Sequence, residues 1–115
     1  MGEVEMINAQ TKLYGIIGNP VRHSLSPIIH NAAFRRTGIN AAYLAFEVEN
    51  LEEAISGIRG LGIQGVSVTI PFKIQIIPFL DEVEAVAKKI SAVNTIVNEE
   101  GRLIGYNTDW RGALE

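Results

Sequence analysis

Short apolar runs alternate with helical stripes along almost the whole chain, and this alternation restricts the fold more than any other feature. The predicted strands cover residues 13–18, 42–48, 66–70, 93–98 and 103–106. Each run is short and closed by turn residues, as expected of a buried strand. Strands that alternate with helices are typical of α/β folds. We therefore predict a three-layer α/β/α domain with a mostly parallel, partly mixed open sheet, in which Glu100-Gly101 joins the last two strands as one antiparallel pair.

Residues that favour helix starts precede the helical stripes. Ser26 is the predicted N-cap of a helix over residues 27–37, with Pro27 at its first helical position. The residues that should form the apolar face of that helix are Ile28, Ile29, Ala32 and Ala33. Asn50 and Asp81, each followed three residues later by a glutamate, are predicted to cap two further helices.

Composition indicates a packed globular protein and excludes several classes of function. The 115 residues are 47% hydrophobic and 20% charged, which fits one domain. A net charge of -3 argues against nucleic acid as the main partner. With no cysteines and only two histidines, we predict neither a disulfide nor a metal site. No apolar run approaches the roughly 18 residues that span a bilayer, and the N-terminus lacks a signal-peptide pattern, so we predict no membrane partner and a cytoplasmic location.

A glycine-rich motif matches the sequence pattern of a nucleotide-binding fingerprint, but not its structural context. Residues 60–65 match G-x-G-x-x-G. The dinucleotide fingerprint requires a strand before the motif and a helix after it, so that the pyrophosphate lies at the helix N-terminus. Here a predicted helix precedes the motif and a predicted strand follows it, so we interpret the motif as a helix C-cap and tight loop. If a dinucleotide is used, we expect its main site to lie outside this chain.

Lys73 stands where the charge of a helix disfavours a cation. The strand predicted over residues 66–70 ends before Pro71, which is predicted to begin a short helix that stops near Pro78. Lys73 falls in the first turn of that helix. Because helix N-termini carry partial positive charge and favour anions, we interpret Lys73 as a cation retained for chemistry. The alternative is a solvated surface lysine.

Segments rich in hydroxyl, amide and charged groups are expected to meet at one edge of the sheet. In an open α/β sheet, ligands bind beyond the carboxyl ends of the strands. The candidate residues at that edge are Ser24, Ser26, Thr69, Lys73, Asn94, Asn107 and Asp109. This set suits a small polyhydroxylated acid, because hydroxyls can hold its carboxylate while amide and carboxylate side chains hold its hydroxyl groups.

At these residues the chain resembles the N-terminal, substrate-binding domain of the shikimate dehydrogenase family. The resemblance runs from Leu13 to the end of the chain. It rests on four motifs in the family's order and spacing: Gly18-Asn19-Pro20 followed by His23-Ser24-Leu25-Ser26-Pro27; Val68-Thr69-Ile70-Pro71-Phe72-Lys73; Ala92-Val93-Asn94-Thr95; and Gly105-Tyr106-Asn107-Thr108-Asp109.

The resemblance implies a role for each candidate residue. The two serines, Ser24 and Ser26, would hold the substrate carboxylate. Ring hydroxyls would be held by Thr69, Asn94 and Asp109. Lys73, paired with Asp109, would be the acid/base at the carbon that exchanges hydride. The family reaction interconverts 3-dehydroshikimate and shikimate with NADP(H) in aromatic amino-acid biosynthesis.

The resemblance also implies how the chain is divided. Residues 1–11 would be a leader and residues 12–107 the substrate-binding domain. Residues 108–115, with Thr108 as the predicted cap, would start a helix that leads to an NADP-binding Rossmann domain. That domain would lie outside this chain, which we therefore expect to be a fragment, and we assign no cofactor-binding residue within it. The oligomeric state is left open.

One residue departs from the family pattern, and three other functions stay open. The family usually has asparagine where this chain has Ser67, whose role is unassigned. One alternative is a quinate/shikimate dehydrogenase, and a second is an isolated acid-binding module that turns nothing over. A flavodoxin-like nucleotide or regulatory domain is a third alternative.

Overall fold

The structure is a computed structural model that describes residues 7–109, and within this range strands and helices alternate in one α/β domain. The strands are β1 (Lys12–Gly18), β2 (Ala41–Glu47), β3 (Gly65–Val68), β4 (Glu82–Val83), β5 (Thr95–Glu99) and β6 (Arg102–Tyr106). The helices are α1 (Ser26–Thr37), α2 (Leu51–Leu61), α3 (Phe72–Gln75) and α4 (Ala85–Ile90), and a 3-10 turn covers Ile77–Phe79. The predicted fold class is confirmed.

The sheet is mixed, and its strand order is β2-β1-β3-β5-β6-β4 in the described part of the chain. Strand β1 pairs in parallel with β2 and β3, and β4 pairs in parallel with β6. Strand β5 is antiparallel to both of its neighbours, so there are two antiparallel pairings where we predicted one. The β5–β6 hairpin turns at Glu100 and Gly101, whose φ angles of 56° and 94° are those of a tight two-residue turn.

The main hydrophobic core lies between one face of the sheet and the helices α2, α3 and α4. Its helical contributions are Ile55, Ile58, Phe72 and Ala87. Its completely buried aliphatic side chains are Ile76, Val93, Ile96 and Leu103. Burial of each such side chain is worth about 1.5–3 kcal/mol, so this core is a large contribution to the stability of the domain.

Helix α1 covers the other face of the sheet, which completes the three layers. The apolar face predicted for it is wrong at two positions, since Ile28 and Ile29 are 69% and 62% exposed. The helix is held instead by Asn31, whose amide exchanges two 2.8 Å hydrogen bonds with the backbone of Tyr43 in β2. Phe34 packs nearby against a small cluster of Ile16, Val21 and Tyr43. The sequence pattern missed this face because a polar residue anchors it.

The predicted N-cap of α1 is displaced by one residue. Ser26 is the first helical residue, and Leu25 occupies the cap position without a side-chain hydrogen bond. The backbone N–H of Ser26 donates to Oγ of Ser24 at 3.1 Å, so the serine two residues earlier performs the capping. The cap predicted for α2 is confirmed, because Oδ1 of Asn50 accepts from the backbone N–H of Glu53 at 2.9 Å.

The cap predicted at Asp81 is also wrong. Glu84 caps α4, and its carboxylate accepts from the backbone N–H groups of Val86 and Ala87. Asp81 precedes strand β4 and accepts instead from the backbone N–H of Leu103 at 2.7 Å. A two-residue strand therefore takes the place of the first predicted helical turn.

The ends of the described range bear on two predictions. Of the predicted leader, residues 7–11 are described, and Thr11 donates to Oδ1 of Asn40 at 2.7 Å. Nearly all of the helix predicted from Asp109 onward lies outside the described residues. None of the helices within residues 7–109 has the length and apolarity needed to cross a bilayer.

Candidate active site

One edge of the sheet gathers the carboxyl ends of β1, β3 and β6 together with the start of the antiparallel β5. Two backbone hydrogen bonds extend this edge beyond the strands. The carbonyl of Asn94 accepts from the N–H of Val68 at 2.8 Å, and the N–H of Asn94 donates to the carbonyl of Tyr106 at 2.9 Å. Asn94 is therefore fixed between the ends of two strands.

Lys73 reaches this edge from α3. Its neighbour Phe72 is buried in the core, and its own carbonyl accepts from the N–H of Val93 at 2.8 Å. The Nζ atom of Lys73 lies 3.6 Å from Oδ2 of Asp109. Helix α3 has only four residues, so its dipole is small, and within residues 7–109 the charge paired with Lys73 is the carboxylate of Asp109. The dipole argument therefore overstated the field of this helix, and the role of Lys73 stays a prediction.

Asp109 is placed by a buried asparagine. Asn107 is 5% exposed, and its side-chain Nδ2 donates to the carbonyl of Ala92 at 3.1 Å. Its Oδ1 accepts from the backbone N–H of Asp109 at 2.8 Å. Asn107 thus ties the segment after β6 to the segment before β5, and a buried amide with both ends bonded is a rigid support.

Asn94 is oriented by hydrogen bonds to its neighbours. Its Oδ1 accepts from the backbone N–H of Thr108 at 3.1 Å and from the hydroxyl of Thr95 at 2.9 Å. Its Nδ2 donates to Oγ1 of Thr108 at 3.1 Å. An amide nitrogen carries two hydrogens, and within residues 7–109 only one of those on Asn94 has an acceptor.

Ser24 and Thr69 share a cavity of about 250 Å³ at the same edge. Its lining residues are Ile16, Pro20, Val21, His23, Ser24 and Thr69. The Oγ of Ser24 accepts from the backbone N–H of Ser26, and among the described residues its own hydrogen has no acceptor. The methyl group of Thr69 packs directly against Gly18.

The predicted site residues therefore form two groups. Hydrogen bonds and an ion pair connect the segments that carry Lys73, Asn94 and Asp109. The cavity brings Ser24 together with Thr69, whereas Ser26 is not among its lining residues and joins it only through the bond to Ser24.

Glu47, at the end of β2, is a supporting residue that the sequence did not indicate. Its Oε1 accepts from the backbone N–H of Val21 at 3.1 Å, and its Oε2 lies 2.9 Å from Nε of Arg22. These contacts hold the pKa of the Glu47 carboxyl below its ordinary value, first through the bond from Arg22 and then through the bond from Val21. A carboxylate at the end of a strand has no local sequence signal that reveals such a long-range partner.

Ser67 also has a defined partner. Its Oγ lies 2.8 Å from the phenolic oxygen of Tyr43, and the ring of Tyr43 stacks on His30 with centroids 4.2 Å apart. Ser67 lies in β3, two residues before Thr69, which follows the end of that strand. A second, larger cavity of about 500 Å³ adjoins this pair.

The described residues do not form a dinucleotide fingerprint or a metal cluster. The glycine-rich motif lies between α2 and β3, and Gly62, with φ 67°, is the C-cap of α2. That geometry confirms the interpretation of the motif as a helix end, and it offers no helix N-terminus to a pyrophosphate. Within residues 7–109, no three His, Asp or Glu side chains are grouped as metal ligands.

Comparison with known proteins places the chain in a described family. The model of the shikimate dehydrogenase substrate binding domain matches residues 16–96. The NADP(+) shikimate dehydrogenase of Pyrococcus furiosus is 59% identical over 109 residues, which is 94% of this chain and 40% of that protein.

Solved structures agree with the family match. The crystal structure of shikimate dehydrogenase from Aquifex aeolicus superposes with a TM-score of 0.90 at 57% identity, covering 95% of this chain and 42% of that one. The Listeria monocytogenes enzyme, solved in complex with shikimate and NAD, gives a TM-score of 0.91 at 42% identity, covering 96% of this chain and 39% of that one. The chain thus spans about two fifths of the length of the relatives it matches.

Proposed function

This chain belongs to the shikimate dehydrogenase substrate-binding domain family, and from that premise we propose that it forms the substrate-binding part of an NADP-dependent shikimate dehydrogenase. The reaction is the reversible reduction of 3-dehydroshikimate to shikimate, a step of aromatic amino-acid biosynthesis. The domain is proposed to cover residues 12–107, with a cytoplasmic location. Because the described residues do not fit a dinucleotide, NADP is assigned to a part of the protein beyond them.

The pairing of Lys73 with Asp109 is the observation that carries this proposal. Reduction of a ketone to an alcohol requires a proton at the carbonyl oxygen, and the reverse reaction requires its removal. The Lys73 ammonium can give that proton and its amine can take it back. The Asp109 carboxylate, 3.6 Å away, holds the ammonium at the edge of the sheet and balances its charge. Such acid–base assistance is typically worth about 10²–10⁴ in rate.

The other site residues are proposed to orient the substrate. Ser24 donates its hydroxyl to the substrate carboxylate, and Ser26 assists from the start of α1. Thr69, Asn94 and Asp109 hold the ring hydroxyls. The available hydroxyl hydrogen of Ser24 and the second N–H of Asn94 support these roles, because each is a donor left over after the internal hydrogen bonds are made.

The direct test is turnover by the intact protein that contains this chain. We expect oxidation of NADPH when 3-dehydroshikimate is supplied, and no oxidation without it. A parallel assay with 3-dehydroquinate distinguishes a shikimate enzyme from one that also accepts quinate-type acids. If 3-dehydroshikimate produces no oxidation of NADPH or NADH, the proposed function is wrong.

A second measurement distinguishes the substrate-binding part of a dehydrogenase from an isolated acid-binding module. Calorimetry with shikimate on residues 1–115 alone should detect binding, while NADPH oxidation by the same fragment should be undetectable. Turnover by the fragment would contradict the assignment of NADP to another part of the protein.

A further inference from the structure

We propose that Glu47 is a positioning residue that holds the loop carrying Ser24 in its substrate-binding conformation. This inference rests on the proposed function, since it concerns the serine to which the substrate carboxylate is assigned. Glu47 is the last residue of β2 and lies outside the four motifs of the family resemblance.

The loop after β1 is attached to the end of β2 at several points. The carboxylate of Glu47 bonds the backbone of Val21 through one oxygen and Arg22 through the other. The amide of Asn19 donates to the carbonyl of Val48 at 3.0 Å, and the N–H of Val48 donates to the carbonyl of Gly18 at 3.1 Å. Of these contacts, only those of Glu47 act on the half of the loop nearest to Ser24.

The position of Ser24 depends on Val21. The N–H of Ser24 donates to the carbonyl of Val21 at 3.1 Å, which closes a turn between the two residues. Val21 is 4% exposed, and its N–H is satisfied by Glu47. Without an acceptor, a buried N–H must either remain unpaired, which is costly, or move toward water. Movement of Val21 would carry the turn and the hydroxyl of Ser24 with it.

The bond to Val21, and not the ion pair, is inferred to be the functional contact. The side chain of Arg22 is 77% exposed, whereas that of Glu47 is 24% exposed. An exposed partner is screened by solvent and loses side-chain entropy in a pair, so it contributes little. The length of the Glu47 side chain should therefore affect the position of the Ser24 loop more than its charge does.

Two conservative substitutions separate reach from charge. Glu47→Gln keeps the reach and the acceptor oxygen but removes the charge, and Glu47→Asp keeps the charge but withdraws the oxygen by one methylene. In the intact protein, we expect Glu47→Asp to raise KM for shikimate about tenfold, as for the loss of one hydrogen bond, with kcat changed less than about twofold. Glu47→Gln should stay within about threefold of wild type in both constants.

A matched control is Glu49→Ala, which removes an exposed carboxylate two residues further along and should change neither constant. If the two Glu47 variants have the same KM, or if Glu47→Asp lowers kcat at unchanged KM, the positioning role is overturned. If the wild-type protein itself does not oxidise shikimate, the proposed function fails instead. Hydrogen exchange at the Val21 amide then still tests the hydrogen bond between Val21 and Glu47. Glu47→Asp should accelerate this exchange, and Glu47→Gln should not.

Discussion

The Nζ atom of Lys73 lies 3.6 Å from Oδ2 of Asp109, and both side chains remain substantially exposed, at 39% and 67%. An ion pair with this exposure contributes about 0–1 kcal/mol to stability, because water screens it. The folded state therefore depends little on this ion pair. Substitutions at Lys73 can consequently be assayed without a large loss of folded protein.

Ser24→Ala should act on substrate binding rather than on the chemical step. Loss of a hydroxyl that holds a carboxylate removes binding common to the ground state and the transition state, so KM should rise about tenfold while kcat changes little. Steady-state kinetics of the intact protein measure both constants. Ser56→Ala, an exposed serine of α2, is the control. A large fall in kcat at unchanged KM would contradict an anchoring role.

Gly18→Ala should displace Thr69. A Cβ atom added at Gly18 overlaps the methyl group of Thr69 and lies 3.1 Å from the carbonyl oxygen of Ile70. We expect a loss of about 1–3 kcal/mol in the free energy of unfolding, together with an increase in KM. Urea denaturation measures the first effect.

Gly57→Ala in α2 is the matched control for that substitution. A Cβ atom there meets nothing within 4 Å, so the variant should gain about 0.5–1 kcal/mol from helix propensity. If both glycine variants have the same stability, the steric account of Gly18 is wrong.

Tyr43 and Ser67 should be energetically coupled. Their oxygens lie 2.8 Å apart and Tyr43 is 4% exposed, so removal of one hydroxyl leaves the other without this partner. A double-mutant cycle of Tyr43→Phe and Ser67→Ala, read by urea denaturation, should give a coupling energy of about 0.5–1.5 kcal/mol. Strict additivity would show that the hydrogen bond does not contribute to stability.

Asp81 should make stability depend on acid pH. The pKa of its carboxyl is lowered, chiefly by the bond from the N–H of Leu103 and then by the bond from Arg59. Because the pKa is lower in the folded state than in the unfolded chain, the contribution is fully present above the ordinary aspartate pKa of about 3.9 and is lost as pH falls through the lowered folded value.

The measurement for Asp81 is a comparison of urea midpoints for wild type and Asp81→Asn across that pH range. The difference between the two proteins should shrink as the solution is acidified. Glu99→Gln, an exposed carboxylate in β5, serves as the control and should show no comparable trend. A difference that stays constant down to strongly acidic pH would contradict the account.

Periodic patterns predicted the elements best where an apolar face is buried. The stripe of α2 is buried at Ile55 and Ile58, and its capping asparagine bonds as expected. The predictions failed where a polar side chain had two possible partners. Asp81 bonds the distant Leu103 rather than a helix start, and α1 is anchored by Asn31 rather than by its isoleucines.

The sequence predicted the residues of the candidate site, but not the neighbouring residues whose hydrogen bonds hold them in place. Lys73 and Asp109 were expected at one edge because strand ends share it, and the family resemblance implied that they pair, which agrees with their ion pair. Glu47 and the bonding of Asn107 to Ala92 depend on contacts between segments far apart in sequence. Such contacts have no local pattern, so they become visible only in the folded chain.

The kcat of Lys73→Met in the intact protein, measured with shikimate, tests the central claim most directly. The substitution keeps most of the aliphatic stem and removes the ammonium, and Lys88→Met on the exposed side of α4 is the matched control. We predict a fall in kcat of about 10²–10⁴-fold for Lys73→Met, with a free energy of unfolding within about 1 kcal/mol of wild type. A folded Lys73→Met protein with wild-type kcat would contradict the assignment of Lys73 as the acid/base.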